Sequence, residues 1–299
     1  LAQEQGNTDE AIAELEELRR RNPDDPDAAR ALADAEATSG DPGRAAALYT
    51  QALRLRPGDE TLAAARADAL RQASSTLGAS YDMQDVESGD AQGIARSFAR
   101  IRLGDGWAVA IAGELRRLED EEVRTADGSI VAVEDDYAKG EASLIYAHRG
   151  WETRATVFVA DRSVGGGFGL LRRTSVDEAE LELAYQEPYY EVVEGIVGGG
   201  VRDQVEARYA RNLGNGVTTH VALRLARYGL EGDADLVRTA GFSAGFRYNF
   251  GLRHTDLSVG YTVDGEYADR VTTRIDGLGD PYMPLPFEDS EIHAFDLAI

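Results

Sequence analysis

The chain has 299 residues, 43% of them hydrophobic, and a formal net charge of −23; it holds enough apolar material for two folding units and is too acidic to favour nucleic acid or another polyanion. It contains no cysteine, which excludes disulfides and thiolate metal sites and fits an oxidising compartment. No run approaches the roughly 18 apolar residues of a membrane helix, so any bilayer crossing falls to strands, an option that the mean hydropathy of −0.37 leaves open.

The N-terminal region repeats itself. Gly6, Ala11, Leu15, Leu18 and Pro23 are matched in order by Gly40, Ala45, Tyr49, Ala52 and Pro57, an offset of 34 residues. That period, with Gly, Ala, a large apolar residue and a closing Pro, is the tetratricopeptide (TPR) signature. Apolar spacing predicts helices over 9–21, 27–39, 44–56 and 60–73, separated by Asn22-Pro23-Asp24-Asp25-Pro26, Gly40-Asp41-Pro42-Gly43 and Arg56-Pro57-Gly58-Asp59. Small Ala33 and Ala45 allow close helix contact, and the last helix is expected to cap the solenoid. The chain opens at Leu1, in the tail of a helix whose start is missing, and reads as a fragment whose secretion signal would lie upstream.

From Ser74 the period changes from 3.6 to 2. Alternation predicts about twelve strands: one around 77–84, then 94–103, 107–119, 137–148, 152–162, 168–174, 178–187, 201–212, 217–229, 238–250, 255–267 and 291–299. Connections around Asp105-Gly106, Arg149-Gly150, Ser175-Val176-Asp177, Leu213-Gly214-Asn215-Gly216 and Gly251-Leu252-Arg253-His254 read as short turns. Those at 88–93, 120–136, 163–167, 188–200, 230–237 and 268–290 read as longer loops, the last long enough to fold inward. Short turns on one rim and long loops on the other are expected of an outer-membrane barrel, with the helices on the short-turn side. A soluble sandwich has no reason to keep that alternation.

Glu178, Glu180 and Glu182 share one face of a strand. They would line a lumen and attract a cationic solute, or be neutralised by arginines such as Arg208 and Arg224, or be the solvated face of a soluble sheet. Strand parity adds Asp82, Glu206 and Arg224 to the candidate wall residues for substrate, with a one-residue register error reversing the assignment. Trp107 and Trp151, at strand starts beside short turns, suit an interfacial aromatic girdle or ordinary core packing. Gly165-Gly166-Gly167-Phe168-Gly169 and Gly198-Gly199-Gly200 lack the context of phosphate loops and are expected as strand kinks and hinges. His148, His220, His254 and His293 are isolated, no nucleophile motif occurs, and no carboxylate pair stands out. No catalytic residue, metal site or cofactor is assigned.

TPR helices joined to a long barrel resemble the outer-membrane exopolysaccharide exporters, those for Pel, poly-N-acetylglucosamine and cellulose. The segment Gln186-Glu187-Pro188-Tyr189-Tyr190-Glu191-Val192-Val193-Glu194-Gly195-Ile196, then Gly199-Gly200-Val201-Arg202-Asp203, is most similar to the Pel exporter type, as is Pro284-Leu285-Pro286-Phe287 to Glu291-Ile292-His293. The resemblance implies a sixteen-stranded barrel that passes a new polymer, with periplasmic TPRs recruiting synthase or modification proteins. This chain would supply about twelve strands, lacks the terminal aromatic usual for such barrels, and places Ile299 within a strand, so closure is expected downstream. The expectation is α+β: a TPR solenoid over 1–73 in the periplasm and an antiparallel up-and-down outer-membrane barrel over 74–299. It would be a non-enzymatic exporter whose partners are lipid, periplasmic or synthase proteins and an exopolysaccharide. Residues 74–299 carry −17 of the charge, and Pel and deacetylated poly-N-acetylglucosamine are cationic in that family, so a cationic amino-sugar polymer is favoured. The rivals are a TPR-barrel translocator of surface proteins and a soluble TPR scaffold carrying a β-sandwich.

Overall fold

A computed structural model describes residues 7–85, 91–104, 106–148, 150–174, 176–251 and 257–298. Gly6, loop positions 88–90, the turn residues Asp105, Arg149, Ser175 and Leu252 to His254, the start of the strand expected at 255–267, and Ile299 lie outside these residues.

Four helices come first: α1 (Asn7–Arg21), α2 (Pro26–Thr38), α3 (Pro42–Leu55) and α4 (Glu60–Ala73). Aspartate starts three of them. Asp25 accepts from the amides of Asp27 and Ala28, Asp41 from Arg44, and Asp59 from Thr61 and Leu62, each satisfying donors that a helix N-terminus leaves open. Pro26 and Pro42 sit just behind two of these caps, where a missing N–H costs nothing. Pro42 therefore belongs to α3, and the expected turn 40–43 shrinks to Gly40-Asp41. Ile12, Leu32, Ala33, Ala45, Ala52 and Leu62 form the shared core.

After α4 the chain enters strands directly: β1 (Thr76–Asp85), β2 (Ala91–Gly104), β3 (Trp107–Arg124), β4 (Ile130–His148), β5 (Trp151–Ala160), β6 (Val164–Arg173), β7 (Asp177–Pro188), a short helix α5 (Val193–Val197), β8 (Val201–Gly214), β9 (Val217–Leu230), β10 (Asp233–Asn249), β11 (Ser258–Val271), a small ribbon of β12 (Arg274–Ile275) and β13 (Pro281–Tyr282), and β14 (Ser290–Ala298). Twelve of them make one antiparallel sheet in the order β1 to β11, then β14. The sheet is up-and-down and open, since β1 and β14 do not pair among the described residues. The sandwich rival required a second stacked sheet; only the two-stranded ribbon stands apart.

The expected long loops 120–136 and 230–237 are largely strand. β3 and β4 run on to leave only residues 125–129 as a turn, and β9 and β10 leave 231–232. Charge misled there: Glu119, Asp120, Glu134, Asp135 and Asp136 read as loop but continue the ladder as Glu119↔Glu134, Leu118↔Asp135 and Arg117↔Asp136, beyond the apolar part of the hairpin. The expected loop 163–167 is strand from Val164, because glycine permits close strand approach: a Cβ on Gly165 would sit 2.3 Å from the carbonyl oxygens of Tyr185 and Gln186. Genuinely long connections on that rim are 189–200 and 272–289. On the opposite rim, Asn215-Gly216 joins β8 to β9 with φ of +52° and +80°, the pairing that a two-residue hairpin turn favours.

The helices meet the sheet at the short-turn rim. The Arg102 guanidinium donates to the Gln72 carbonyl at 2.9 Å. A Cβ on Gly150 (φ +76°) would lie 3.5 Å from the Ser39 carbonyl oxygen, so the β4–β5 turn and the α2–α3 turn touch. A cavity of about 530 Å³ lies between them, lined by Asp41, Arg44, Arg102, Trp107 and His148 among others.

Candidate functional site

Register assigns every strand two unlike faces. One row across the sheet reads Ser80, Arg96, Glu114, Lys139; another reads Glu182, Glu206, Arg224, Gly241, Glu266. The alternate positions carry Leu77, Tyr81, Met83, Ile111, Leu115, Leu144, Val157, Leu181, Leu183, Val221, Leu223, Leu225, Phe246 and Phe295, all exposed. An apolar band this extensive, left uncovered, is far above what a monomeric surface in water shows. Trp107 and Trp151 lie on this outer face, each 43% exposed, so they are not core residues. Trp107 packs on Tyr146 with centroids 4.8 Å apart, and Arg172 lies over the Trp151 ring. At the other end of the band the outward positions turn charged, at Arg117 beside Asp136 and Arg227 beside Arg238.

All six candidate wall residues, Asp82, Glu178, Glu180, Glu182, Glu206 and Arg224, lie on the polar face, and each is ion-paired. Asp82 meets Arg96 at 2.7 Å and Glu178 meets Arg173 at 2.6 Å. Glu180 meets Arg208 at 3.3 Å, and Glu182 meets Arg154 at 3.4 Å and Arg208 at 3.8 Å. Glu206, nearly covered, takes Arg208 at 2.6 Å and Arg224 at 3.2 Å, and Arg224 continues to Glu266 at 3.5 Å. Of the readings open for the carboxylates, this geometry matches neutralisation by arginine. A second array sequence reasoning missed joins Arg96, Glu114 and Arg116 at 2.9 Å each; its signal was the same parity on β2 and β3. The acidic excess sits elsewhere: residues 119–136 hold eight acids and a single base, clustered where β3 and β4 project.

The polar face is concave, because the loop between β7 and β8 folds across it onto β3 and β4. The Tyr190 hydroxyl donates to the Ala138 carbonyl at 3.1 Å, and its own carbonyl accepts from Arg116 Nη1 at 2.6 Å. Lys139 lies over the Tyr190 ring, and Ile196 is buried with Leu118 and Tyr137. Burial pushes the Tyr190 phenol up to about 12 and raises the Glu194 carboxyl on α5. Six large apolar or aromatic residues in a nominal loop, Tyr189, Tyr190, Val192, Val193, Ile196 and Val197, were the sequence signal for this. The 272–289 connection also folds over the rim: Tyr282 and Arg274 both donate to the Ala126 carbonyl at 3.0 Å, and Arg124 pairs with Asp276 at 3.2 Å. Leu285 and Phe287 pack with Tyr189, Tyr228 and Leu236. At the β3–β4 tip the Thr125 hydroxyl, then the amide and hydroxyl of Ser129, hold the Asp127 carboxyl down at about 2. Both connections thus converge on the β3–β4 hairpin at the rim away from the helices.

Residues 1–60 match the tetratricopeptide repeat family. The match covers α1 to α3 and ends where α4 begins, so it says what the helices resemble and nothing about the sheet. No curated protein shows significant similarity to the chain. TPR arrays in general bind proteins through their concave face.

The remaining motifs fall apart chemically. His148 is on the outer face at the short-turn rim and His220 on the concave face, while His293 contacts Tyr261 at 2.6 Å and Glu291 at 2.9 Å on the outer side; His254 lies outside the described residues. Among the described residues, no group of three or more possible metal ligands gathers. Gly198 follows α5 and Gly199 takes a φ of +66°, turning the chain into β8 rather than cradling phosphate.

Proposed function

We propose that the sheet is the wall of an outer-membrane β-barrel that exports a polysaccharide, with the TPR helices on the periplasmic side as a docking platform for synthase or modification proteins. The observation that carries this reading is the division of one twelve-stranded sheet into an exposed apolar face, edged by aromatics, and a concave face lined with interlocked Arg–carboxylate pairs. A hydrocarbon environment stabilises the first and a hydrated passage the second. On β3 the outward positions from Trp107 to Leu115 are apolar or glycine; eight steps of about 3.3 Å give roughly 26 Å along the strand, or about 20 Å after a tilt of some 40°, against a band of about 25 Å in such barrels.

The role is non-enzymatic transport. Arginine and carboxylate side chains that satisfy one another leave many donors and acceptors at the surface with no single tight site, and weak repeated contacts let a polymer move. The loops at the far rim narrow the exit, so transport requires them to shift. Intact protein reconstituted in planar lipid bilayers should give stepwise ion currents, and cells lacking it should retain the polymer in the periplasm. Recovery of the protein in the soluble periplasmic fraction overturns the reading.

A further inference from the structure

Most large apolar residues of the concave face on β2 to β5 are covered, and Phe98 is the most exposed of them. Ile94, Leu118, Tyr137, Ile145 and Phe158 are buried, whereas the Phe98 ring is 53% exposed. Its strand neighbours are Gly78 on β1 and Ala112 on β3. A Cβ on Gly78 would come within 2.3 Å of the ring, so glycine is what lets the phenyl lie along the wall, leaving its other face open. Leaving about half of a phenyl ring exposed among ion pairs forgoes part of the free energy that its burial would gain.

Phe98 and Phe158 line one cavity of about 240 Å³ together with Arg96, Glu114, Lys139 and Glu141. A second, of about 290 Å³, adjoins it through Phe158, Glu141 and Glu187 and reaches Arg154, Glu182 and Arg208. The Glu141 carboxylate, at the junction, makes no ion pair or hydrogen bond among the described residues, while Glu114 and Glu182 are held by arginines. Together the two cavities are lined by six bases and six acids, so this part of the concave face presents no net field that would hold a polycation.

We infer that these two cavities form a binding track for uncharged, polyhydroxylated sugar units, with Phe98 as the platform on which a sugar ring stacks. The C–H face of a pyranose suits a phenyl ring, and its equatorial hydroxyls suit the surrounding carboxylate acceptors and guanidinium donors. This deepens and rests on the export reading, but departs from the cationic polymer that overall charge suggested.

The test uses intact protein in planar bilayers, with block of the ion current by added cellohexaose, hexa-N-acetylchitohexaose or fully deacetylated chitohexaose. The two neutral oligomers should block at lower concentration than the cationic one, and Phe98→Ala should weaken their block about three- to ten-fold. Phe98→Leu, which keeps bulk without a ring, should weaken it likewise, and Glu141→Ala should lower it further. In the wild type, cellohexaose should also slow acylation of Lys139, the sole lysine of the sequence, read by peptide mass spectrometry; this needs no variant to fold. Tighter block by deacetylated chitohexaose, or block that neither Phe98 variant changes, overturns the inference while leaving the conduit standing. Absence of any current would instead overturn the conduit.

Discussion

Arg116 Nη1 on β3 donates to the backbone carbonyl of Tyr190 at 2.6 Å, so a wall residue holds a loop rooted four strands away. The same guanidinium reaches Glu114 at 2.9 Å. Arg116→Met would keep the stem and remove both bonds, leaving a buried carbonyl short of a partner at a cost of about 1–3 kcal/mol. The expected result is a larger single-channel conductance and faster chymotrypsin cleavage at Tyr189 or Tyr190. Unchanged conductance would mean that this loop does not narrow the passage.

The second inward connection is tied at its far end to one hairpin. Arg124 pairs with Asp276 and lies over the Tyr282 ring, while Tyr282 bonds to Ala126. Tyr282→Ala removes the ring and the hydroxyl together, and should raise hydrogen exchange in 272–289 by about ten-fold while leaving β8 and β9 protected. Conductance should rise in this variant, and more than additively with Arg116→Met if the two loops close one opening jointly.

Much of the fold was legible because its signals are periodic. The 34-residue spacing and the Asp-Pro pairs at 25–26 and 41–42 mark the helices, and period-2 alternation locates twelve strands. Parity placed Glu178, Glu180, Glu182, Glu206, Asp82 and Arg224 on one face, because a pleated strand leaves no third choice. What alternation cannot contain is which charge on another strand meets which. Arg208 reaches Glu180 and Glu182 across a register that only pairing defines, and so a face that looks acidic on β7 is balanced by β8. Charged stretches at 119–122 and 134–136 were misplaced for a related reason: polarity says that a residue is wet, not that its backbone has left the ladder.

Tyr49 offers a pH test of the helices. It is 5% exposed, and burial, reinforced by its hydrogen bond to Asp34 at 2.5 Å, pushes its phenol from 10.0 to about 12. A raised pKa means that the folded state retains the proton longer than the unfolded one. Stability from this group is therefore complete below pH 10 and falls as pH rises toward 12. Helical ellipticity of the intact protein should drop in that window, and Tyr49→Phe should flatten this part of the profile. Loss at the same pH in both proteins would assign the transition to other groups.

Neighbouring residues on β9 separate the two faces most sharply. Val221 points outward among Leu223 and Leu225, and Ala222 points inward opposite Arg208. If the outer face meets hydrocarbon, Val221→Arg near the middle of the band costs about 2–4 kcal/mol, whereas Ala222→Glu gains an arginine partner. The expected outcome is that membrane-assembled protein, scored by heat-modifiable electrophoretic mobility, falls several-fold for the first variant and stays near wild type for the second. A water-exposed outer face would reverse the logic: arginine at 221 would improve solubility. Equal tolerance of both substitutions would therefore remove the membrane from the proposal, because hydrocarbon against the outer face cannot accept arginine at 221 as readily as a hydrated face accepts glutamate at 222.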